Sequence, residues 1–129
     1  MKESVGFKKI KIAIFISGNG SNLKNLIKHS FNKNSKFDVD LIISNSSKAK
    51  GLIYAKKFKI RKKIFDYSDI KISEKKILKE LQKNNISLIC LAGFMKILSK
   101  NFIKNFKGKI MNIHPSLLPK YKGLNTHQR

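Results

Sequence analysis

The sequence feature that most constrains the fold is a junction between the apolar segment Ile10–Ile16 and the glycine-containing loop Ser17–Asn22, which follows at once. From Ile12 the segment is nearly continuously apolar and rich in β-branched residues, which is typical of a strand buried on both faces of a parallel sheet. After the loop, apolar residues recur at helical spacing up to about residue 34, at Leu23, Leu26, Ile27 and Phe31. The junction therefore predicts a strand, a glycine loop and a helix in succession.

The same alternation of strand and helix continues along the chain. Further strands are predicted at about 39–43, 63–65 and 87–91, with a fifth beginning near 109, and helices at about 48–58, 73–84 and 99–106. This order predicts the α/β class, with a right-handed, parallel, Rossmann-like sheet. Residues 1–9 are polar and basic, and we expect them to form a loose arm before one α/β domain of residues 10–129.

Polar residues and one glycine set the helix boundaries in this prediction. Ser73 is a candidate N-cap with Glu74 as an acid in the first turn, and Ser99 is a candidate N-cap of the short helix that follows. Gly108 stands where the C′ glycine of that short helix is expected.

The composition indicates one domain with a strongly basic surface. The chain has 129 residues, 41% of them hydrophobic, and a formal net charge of +22, which is compatible with nucleic-acid binding. However, arginine, the preferred reader of bases, occurs only at positions 61 and 129, and the lysines are spread over the whole chain. We therefore expect lysine-rich solvated faces and no specific nucleic-acid partner.

Cysteine usage indicates a reducing compartment, and histidine spacing gives no indication of a metal site. The single cysteine, Cys90, lies in an apolar run and is expected to be an inert buried thiol. The three histidines lack the paired spacing of metal ligands. The N-terminus lacks the apolar core of a signal peptide, and no apolar run approaches membrane-spanning length. These features predict a cytoplasmic protein without membrane association, and they leave its oligomeric state open.

The glycine-containing loop offers backbone N–H groups at a helix N-terminus, which is a natural seat for a phosphate. A simpler interpretation, compatible with the first, is a tight turn in which Ser21 caps the helix. A dinucleotide site is not expected, because Leu23 replaces the third glycine of the fingerprint and Asp38 precedes the second strand instead of following it. A Walker A motif is also excluded, because no Gly-Lys-Ser/Thr sequence follows the loop.

A second loop, after the fourth strand, begins with Gly93 and continues with apolar residues. Such a loop can line a slot for a flat apolar ligand, with backbone groups reading the ligand's edge. Taken singly, its apolar residues are more simply interpreted as part of the core: Phe94, Met95, Ile97 and Leu98.

The fifth strand carries a polar pair. Asn112 and His114 are two residues apart, so they share one face of an extended strand. Asparagine can hydrogen-bond a developing oxyanion, and histidine can move a proton near neutral pH. The alternative is that both merely complete the hydrogen bonding of the strand. Since parallel α/β sheets bind ligands beyond the carboxyl ends of their strands, the loop after the first strand, the loop after the fourth strand and the end of the fifth strand are expected to meet at one place.

Together these stretches resemble the glycinamide ribonucleotide formyltransferase family, the folate-dependent enzymes of purine synthesis, within the wider formyltransferase superfamily. The matching stretches are Ile16–Leu23, Leu91–Leu98 and Asn112–Tyr121, the last running into Gly123, Leu124, Thr126 and His127. They occur in the family's order, and the resemblance covers residues 10–129. It implies the formyltransferase fold and transfer of a formyl group from 10-formyltetrahydrofolate to the amine of glycinamide ribonucleotide.

The resemblance also implies a role for each matching residue. Those that would hold the substrate phosphate are Gly20, Ser21 and Asn22. Those that would line the folate site are Met95, Lys96, Ile97, Leu98 and Asn112. In catalysis, Asn112 would hydrogen-bond the formyl oxygen as the tetrahedral intermediate forms, and His114 would donate a proton or place a positive charge beside it. The 10-formyltetrahydrofolate is a co-substrate, and no metal is implied.

The chain departs from the family pattern after the fifth strand. The family uses a downstream aspartate to orient the histidine, but none of the seven acidic residues here follows Asn112. Family members continue beyond the position of Arg129, so the resemblance is to an N-terminal portion, truncated, with the C-terminal part of the fold absent and an exposed edge at the last strand. Without its orienting partner a catalytic histidine loses roughly 10⁴-fold, so this chain alone is expected to be inactive.

Two other functions remain open at this point. One is a non-catalytic remnant that binds a phosphate or a ribonucleotide. The other is a related folate-dependent enzyme such as the formyltetrahydrofolate hydrolase, which would release formate without an amine acceptor.

Overall fold

A computed structural model describes residues 9–113, apart from the side chain of Ser21, and these residues contain a five-stranded sheet. Its strands are β1 (Ile10–Ile16), β2 (Phe37–Ser44), β3 (Arg61–Ile64), β4 (Leu88–Ala92) and β5 (Lys109–Ile113). Every strand pairs in parallel with its neighbours, in the order β3-β2-β1-β4-β5. The predicted parallel α/β fold is therefore confirmed, and the strand order changes direction between β1 and β4, where such sheets bind ligands.

Four helices connect the strands and cover both faces of the sheet. They are α1 (Ser21–Ser30), α2 (Leu52–Lys57), α3 (Ile70–Lys83) and α4 (Lys100–Asn105). Alternate residues of β1 point to opposite faces, so Ile14 packs on the α1 and α2 side, whereas Phe15 packs on the α3 and α4 side. The two faces together bury the whole of β1 from Ile12 onward, as its apolar sequence predicted.

The predicted start of α3 at Ser73 is wrong. The helix begins at Ile70, and the side chain of Asp69 caps it by accepting a hydrogen bond from the backbone N–H of Ile72 (3.1 Å). Ser73 and Glu74 lie buried on the inner face of the helix. The cap at Ser99, by contrast, is confirmed, because its hydroxyl accepts a hydrogen bond from the backbone N–H of Phe102 (3.0 Å).

Gly108 does not serve as a helix C′ residue with positive φ. The chain leaves α4 in extended geometry at Phe106. A glycine is needed at position 108 because there is no space for a side chain. A Cβ atom placed on Gly108 would lie 2.1 Å from the carbonyl oxygen of Ser87. This glycine therefore lets the segment before β5 pass directly against the segment before β4.

The two edges of the sheet differ in their side chains. At one edge, all four residues of β3 are exposed, and Arg61, Lys62 and Lys63 are basic. At the other edge, Met111 and Asn112 of β5 are exposed. Among residues 9–113, β5 is the last strand of the sheet, and the residues that follow it in the sequence lie outside the described part.

The thiol of Cys90 is buried among the apolar residues on the α1 and α2 side of the sheet. Burial raises its pKa from 9.0 to about 11, which keeps the thiol protonated and unreactive near neutral pH. Residues 9–113 contain no cluster of three or more His, Cys, Asp or Glu that could hold a metal ion. In the same part of the chain, no helix is long and apolar enough to cross a membrane.

Candidate functional site

The three candidate regions leave the same edge of the sheet from adjacent strands. Phe15 of β1 lies beside Leu91 of β4, and Leu91 lies beside Asn112 of β5. The segments that follow β1 and β4 therefore emerge next to each other, with the end of β5 alongside. This is the switch point of the sheet, where a crevice between loops is expected.

The segment between β1 and α1, residues 17–20, is here called the glycine loop. Gly20 has a φ of 73°, a left-handed conformation that glycine adopts without steric cost, and its Cα packs against the Cα of Gly51. The carbonyl oxygen of Gly18 accepts a hydrogen bond from the backbone N–H of Gly51 (2.9 Å). The glycine loop is thus fixed to Gly51, the residue that precedes α2.

The N-cap residue of α1 supplies no side chain that caps the helix. Its N-cap residue is Gly20, and the interpretation of Ser21 as the N-cap is wrong, because Ser21 is the first residue of the helix. The longer helix α3, by contrast, is capped by the carboxylate of Asp69. Asn22, in the first turn of α1, is buried, and that turn contains no acidic residue. The positive end of the helix dipole and the first backbone N–H groups therefore remain suited to an anion.

The segment between β4 and α4, residues 93–98, is here called the apolar loop. Its side chains divide into two groups, because Phe94 and Leu98 pack on the α3 and α4 core, whereas Met95 and Ile97 are 78% and 88% exposed. Lys96 is exposed as well. The interpretation of all four apolar residues as core is therefore wrong for Met95 and Ile97.

In β5, the side chain of Asn112 is exposed on the α3 and α4 face. Ile110, two residues earlier, packs in the core on that face, and Ile113 packs on the opposite side. The alternation of a strand thus places Met111 and Ile113 on the side away from Asn112. His114 lies outside the described residues, as do the remaining residues of the third matching stretch.

One residue at this edge was not singled out by the sequence. The hydroxyl of Ser17 donates a hydrogen bond to the side-chain oxygen of Asn45, which directly follows β2. The same hydroxyl accepts a hydrogen bond from the backbone N–H of Met95 (2.7 Å). Ser17 therefore joins the glycine loop to the apolar loop. The strand alternation places Ser17 on the face of Phe15, but nothing in the sequence identifies its partners.

A buried carboxylate fixes the far end of the apolar loop. Glu74 of α3 accepts hydrogen bonds from the backbone N–H of Ser99 (2.9 Å) and from its hydroxyl (2.5 Å). Only 6% of the surface of Glu74 is exposed. Since Ser99 also caps α4, the loop and the start of the helix are held to α3 together.

Behind the apolar loop lies Tyr67, whose ring meets that of Phe94 edge to face at a centroid distance of 5.8 Å. Its hydroxyl is buried without a hydrogen-bond partner among the described residues. Burial, with a smaller contribution from the negative charge of Glu74, raises the pKa of Tyr67 from 10.0 to about 12. The ring therefore supports the loop, whereas the hydroxyl adds a desolvation penalty.

We expect Tyr67→Phe to stabilise the protein by about 0.5–1 kcal/mol at neutral pH, because a buried hydroxyl without a partner is removed while the ring remains. The folded pKa is above the unfolded one, so the native protein loses stability as the pH rises from 10 to about 12. Phenylalanine has no hydroxyl to titrate, so the Tyr67→Phe variant should not show this loss of stability between pH 10 and about 12. Urea denaturation of both proteins at pH 7 and pH 11 measures the effect, and a variant less stable than the native protein would show that the hydroxyl has a partner.

Comparison with known proteins agrees with this architecture. The family model described as formyl transferase matches residues 10–129. A crystal structure of phosphoribosylglycinamide formyltransferase from Brucella melitensis superposes with a TM-score of 0.79 at 39% sequence identity, covering 95% of this chain and 65% of that chain. The parallel sheet and the match over nearly the whole sequence establish that the chain belongs to the formyl transferase family.

Within that family, the similar proteins carry the names of purine enzymes. The phosphoribosylglycinamide formyltransferase of Haemophilus influenzae is 44% identical over 122 residues, which cover 92% of this chain and 58% of that protein. The trifunctional purine biosynthetic protein adenosine-3 of Gallus gallus is 41% identical over 123 residues, which cover 93% of this chain and 12% of that protein. The chain thus spans a little over half of the bacterial relative and a small part of the trifunctional one.

Proposed function

We propose that the chain provides the ribonucleotide-binding half of a phosphoribosylglycinamide formyltransferase. The reaction moves a formyl group from 10-formyltetrahydrofolate to the amine of glycinamide ribonucleotide. The observation that carries the proposal is the position of the glycine loop, the apolar loop and Asn112 at the ends of three adjacent strands, in a chain 44% identical to an enzyme of that name. We propose a cytoplasmic location, where the buried Cys90 stays reduced.

The phosphate of the ribonucleotide is proposed to bind at the start of α1. Gly20 lacks a side chain that would occupy the helix N-terminus, and the backbone N–H groups of Ser21 and Asn22 are proposed to donate hydrogen bonds to phosphate oxygens. The left-handed conformation of Gly20 turns the chain into the helix without a Cβ in the way. Asn22 is proposed to contribute its side-chain amide as a further donor.

The folate is proposed to bind along the apolar loop. Met95 and Ile97 are large apolar side chains that remain almost fully exposed, which is costly unless a ligand or another part of a protein covers them. Lys96 lies between them in the sequence, and Leu98 follows Ile97. Asn112 lies on β5, the strand that pairs with β4. A flat pterin-like ring fits such a surface, with the loop backbone available to hydrogen-bond its edge.

Catalysis is proposed to depend on Asn112 and His114. The ribonucleotide amine attacks the formyl carbon, the bond from that carbon to the folate nitrogen breaks, and the proton released by the amine reaches that nitrogen. Asn112 would donate a hydrogen bond to the oxyanion of the intermediate, which is worth about 3–4 kcal/mol in a preorganised site. His114 would assist the proton transfer or stabilise the oxyanion by its charge.

No acidic residue follows Asn112 within the 129 residues, so the orienting aspartate implied by the family resemblance is not available from this sequence. We therefore propose that transfer requires a segment equivalent to the remaining part of the bacterial relative, of which this chain covers 58%. Ribonucleotide binding, which depends on the start of α1, is proposed to need less of that segment.

A chimera and a binding measurement test the proposal together. In the chimera, residues 10–129 replace the matching segment of the Haemophilus influenzae enzyme, and formyl transfer is assayed with both substrates. We expect transfer, with a loss of at least 10²-fold in kcat for Asn112→Ala, because one oxyanion donor is removed, and a comparable loss for His114→Ala. In parallel, calorimetry measures binding of glycinamide ribonucleotide to the 129-residue chain and to its Asn22→Ala variant.

The combined outcomes separate the alternatives. Transfer by the chimera that is lost in both variants supports the proposed enzyme, and transfer that survives both would refute the catalytic assignment. Binding by the chain without transfer by a folded chimera would identify a non-catalytic ribonucleotide-binding remnant. Release of formate without the ribonucleotide would identify a hydrolase. Absence of both binding and transfer would refute the proposal.

A further inference from the structure

We infer that Ser17 is a positioning residue that couples the glycine loop to the apolar loop, so that occupation of one loop by a ligand alters the other. This inference rests on the proposed function, because it assigns the two loops to the two substrates. The role of Ser17 is nevertheless a separate physical claim about one hydroxyl group and the backbone of Met95. It can be tested without a ligand.

The geometry around Ser17 fixes the direction of its hydrogen bonds. Its hydroxyl has one proton, and that proton is donated to the side-chain oxygen of Asn45. A lone pair of the same oxygen is then oriented towards the backbone N–H of Met95, 2.7 Å away. Asn45 therefore orients the Ser17 hydroxyl that binds the N–H of Met95. Ser17 and Met95 are 78 residues apart in the sequence.

The position of Ser17 is set by the sheet itself. In the register of β1 and β2, Ile16 lies beside Ser44, so Ser17 and Asn45 are the next pair beyond the paired strands. The hydroxyl of Ser44 accepts a hydrogen bond from the backbone N–H of Ser46 (3.0 Å), which fixes the turn that carries Asn45. Ser17 thus fixes the start of the apolar loop relative to the ends of β1 and β2.

Among the residues that the structure describes, the apolar loop has few other contacts near Met95. Gly93, where the loop begins, has a φ of 75° and no atom within 4 Å of the position its Cβ would take. The side chains of Met95 and Ile97 are almost fully exposed and contribute little packing. The loop is therefore fixed at its far end by Ser99 and Glu74, and near its start by the Ser17 hydroxyl and the ring of Phe94. Loss of the Ser17 hydroxyl should free the backbone at Met95 in particular.

The coupling follows from the place of Ser17 in the glycine loop. A phosphate at the start of α1 would restrict the remaining motion of residues 18–20, next to Ser17, and would thereby strengthen the hydrogen bond from the N–H of Met95 to the Ser17 hydroxyl. By thermodynamic reciprocity, a ligand that orders the apolar loop would in turn favour the phosphate-binding conformation of the glycine loop. The expected coupling is limited to the strength of one hydrogen bond, a factor of roughly 2–12 in affinity.

The first test is amide hydrogen exchange by NMR on the 129-residue chain without ligand. For Ser17→Ala, exchange at the amide of Met95 should become roughly fivefold faster, as expected for the loss of one hydrogen bond. Ser17→Thr, which keeps the hydroxyl, should restore the native rate. The matched control is Ser46→Ala, a substitution in the neighbouring loop, where the Ser46 hydroxyl accepts only a local bond from the N–H of Lys48 (3.1 Å) among the bonds described. It should leave the exchange of Met95 unchanged.

An unchanged rate at Met95 in Ser17→Ala would overturn the inference. It would also be overturned if exchange accelerated equally at the amides of β2, because Ser17 would then merely stabilise the whole sheet. If Ser17→Ala does not fold, Asn45→Ala tests the same relay, since it removes the acceptor that orients the hydroxyl. Its Met95 exchange should also accelerate, and an unchanged rate there would likewise count against the relay.

The second test adds glycinamide ribonucleotide and follows the Met95 amide resonance. In the native chain the resonance should shift and its exchange should slow, whereas in Ser17→Ala the ribonucleotide should bind without either effect. Binding in both proteins with the same response at Met95 would overturn the coupling. If the ribonucleotide does not bind the native chain, the proposed phosphate site fails together with the coupling, while the ligand-free exchange still decides whether Ser17 positions Met95.

Discussion

Gly108→Ala is expected to lower the free energy of unfolding by about 3 kcal/mol, because the new methyl group has no space and the atoms it meets belong to the backbone. Its Cβ would lie 2.1 Å from the carbonyl oxygen and 2.7 Å from the carbonyl carbon of Ser87. The same oxygen accepts a hydrogen bond from the backbone N–H of Lys109 (3.1 Å), at the start of β5. Relief of the clash would therefore separate the beginnings of β4 and β5.

The measurement is urea denaturation followed by circular dichroism, with midpoint and slope compared between variants. Gly18→Ala is the matched control, since a Cβ at Gly18 would meet no atom within 4 Å, and it should change stability by no more than about 0.5 kcal/mol. Gly93→Ala should fall between them at about 1–2 kcal/mol, because its space is open but its φ is 75°. A Gly108→Ala protein as stable as the Gly18→Ala protein would contradict the close approach of the two segments.

Glu74→Ala should cost about 3 kcal/mol, since it leaves the N–H and the hydroxyl of Ser99 without their carboxylate partner. The loss extends further than one contact, because the Ser99 hydroxyl also caps α4 at Phe102. We therefore expect the apolar loop and α4 to loosen together. Hydrogen exchange should show this as faster exchange over residues 94–105, and urea denaturation measures the total loss.

Glu80→Ala provides the comparison on the same helix. Glu80 is partly exposed, and its carboxylate accepts a long hydrogen bond from the side chain of Asn84 (3.3 Å), so its removal should cost no more than about 0.5 kcal/mol. Glu74→Gln, which keeps the shape and one acceptor oxygen, should lie between the two alanine variants. Equal stabilities of the Glu74→Ala and Glu80→Ala proteins would be incompatible with the bonds described for Ser99.

Much of the fold could be predicted from sequence because burial leaves a regular pattern. The strand β1 from Ile12 and the strand β2 from Leu41 are buried on both faces of the sheet, so their apolar sequences alone indicated them. The edge strand β3 was predicted two residues late, because its sequence begins with Arg61, Lys62 and Lys63 and no apolar run marks it. Pairing with β2, a contact distant in sequence, defines that strand.

The start of α3 shows how a local signal misleads. Ser73 followed by Glu74 has the composition of a helix N-terminus, yet both face the interior, and the actual cap is Asp69. Ile70 and Ile72 in the first turn are exposed, so the amphipathic pattern begins a turn later than the helix. Glu74 can face inward because Ser99, which lies opposite it, donates hydrogen bonds to its carboxylate.

The site residues were predicted to different degrees. The positions of Gly20 in the loop after β1 and of Asn112 within β5 follow from local sequence, and the resemblance to a known family suggested roles for them. The role of Ser17 could not be predicted, because it depends on Asn45 and Met95, which three-dimensional packing alone brings together. A serine at the end of a strand has no periodic neighbour that would indicate its partner.

The unlike edges of the sheet make its extension directional. At the β3 edge, a second copy of Arg61, Lys62 and Lys63 would meet like charges about 5 Å away across a new strand pair, so this edge is electrostatically blocked. At the β5 edge the strand has one basic residue, Lys109, and its other exposed residues, Met111 and Asn112, are uncharged. Within the described residues, a second copy of this basic chain should therefore pair more readily beside β5 than beside β3. Among residues 9–113 the sheet thus has one strongly basic edge and one weakly charged edge, so a fusion partner that carries a basic strand is better placed on the β5 side.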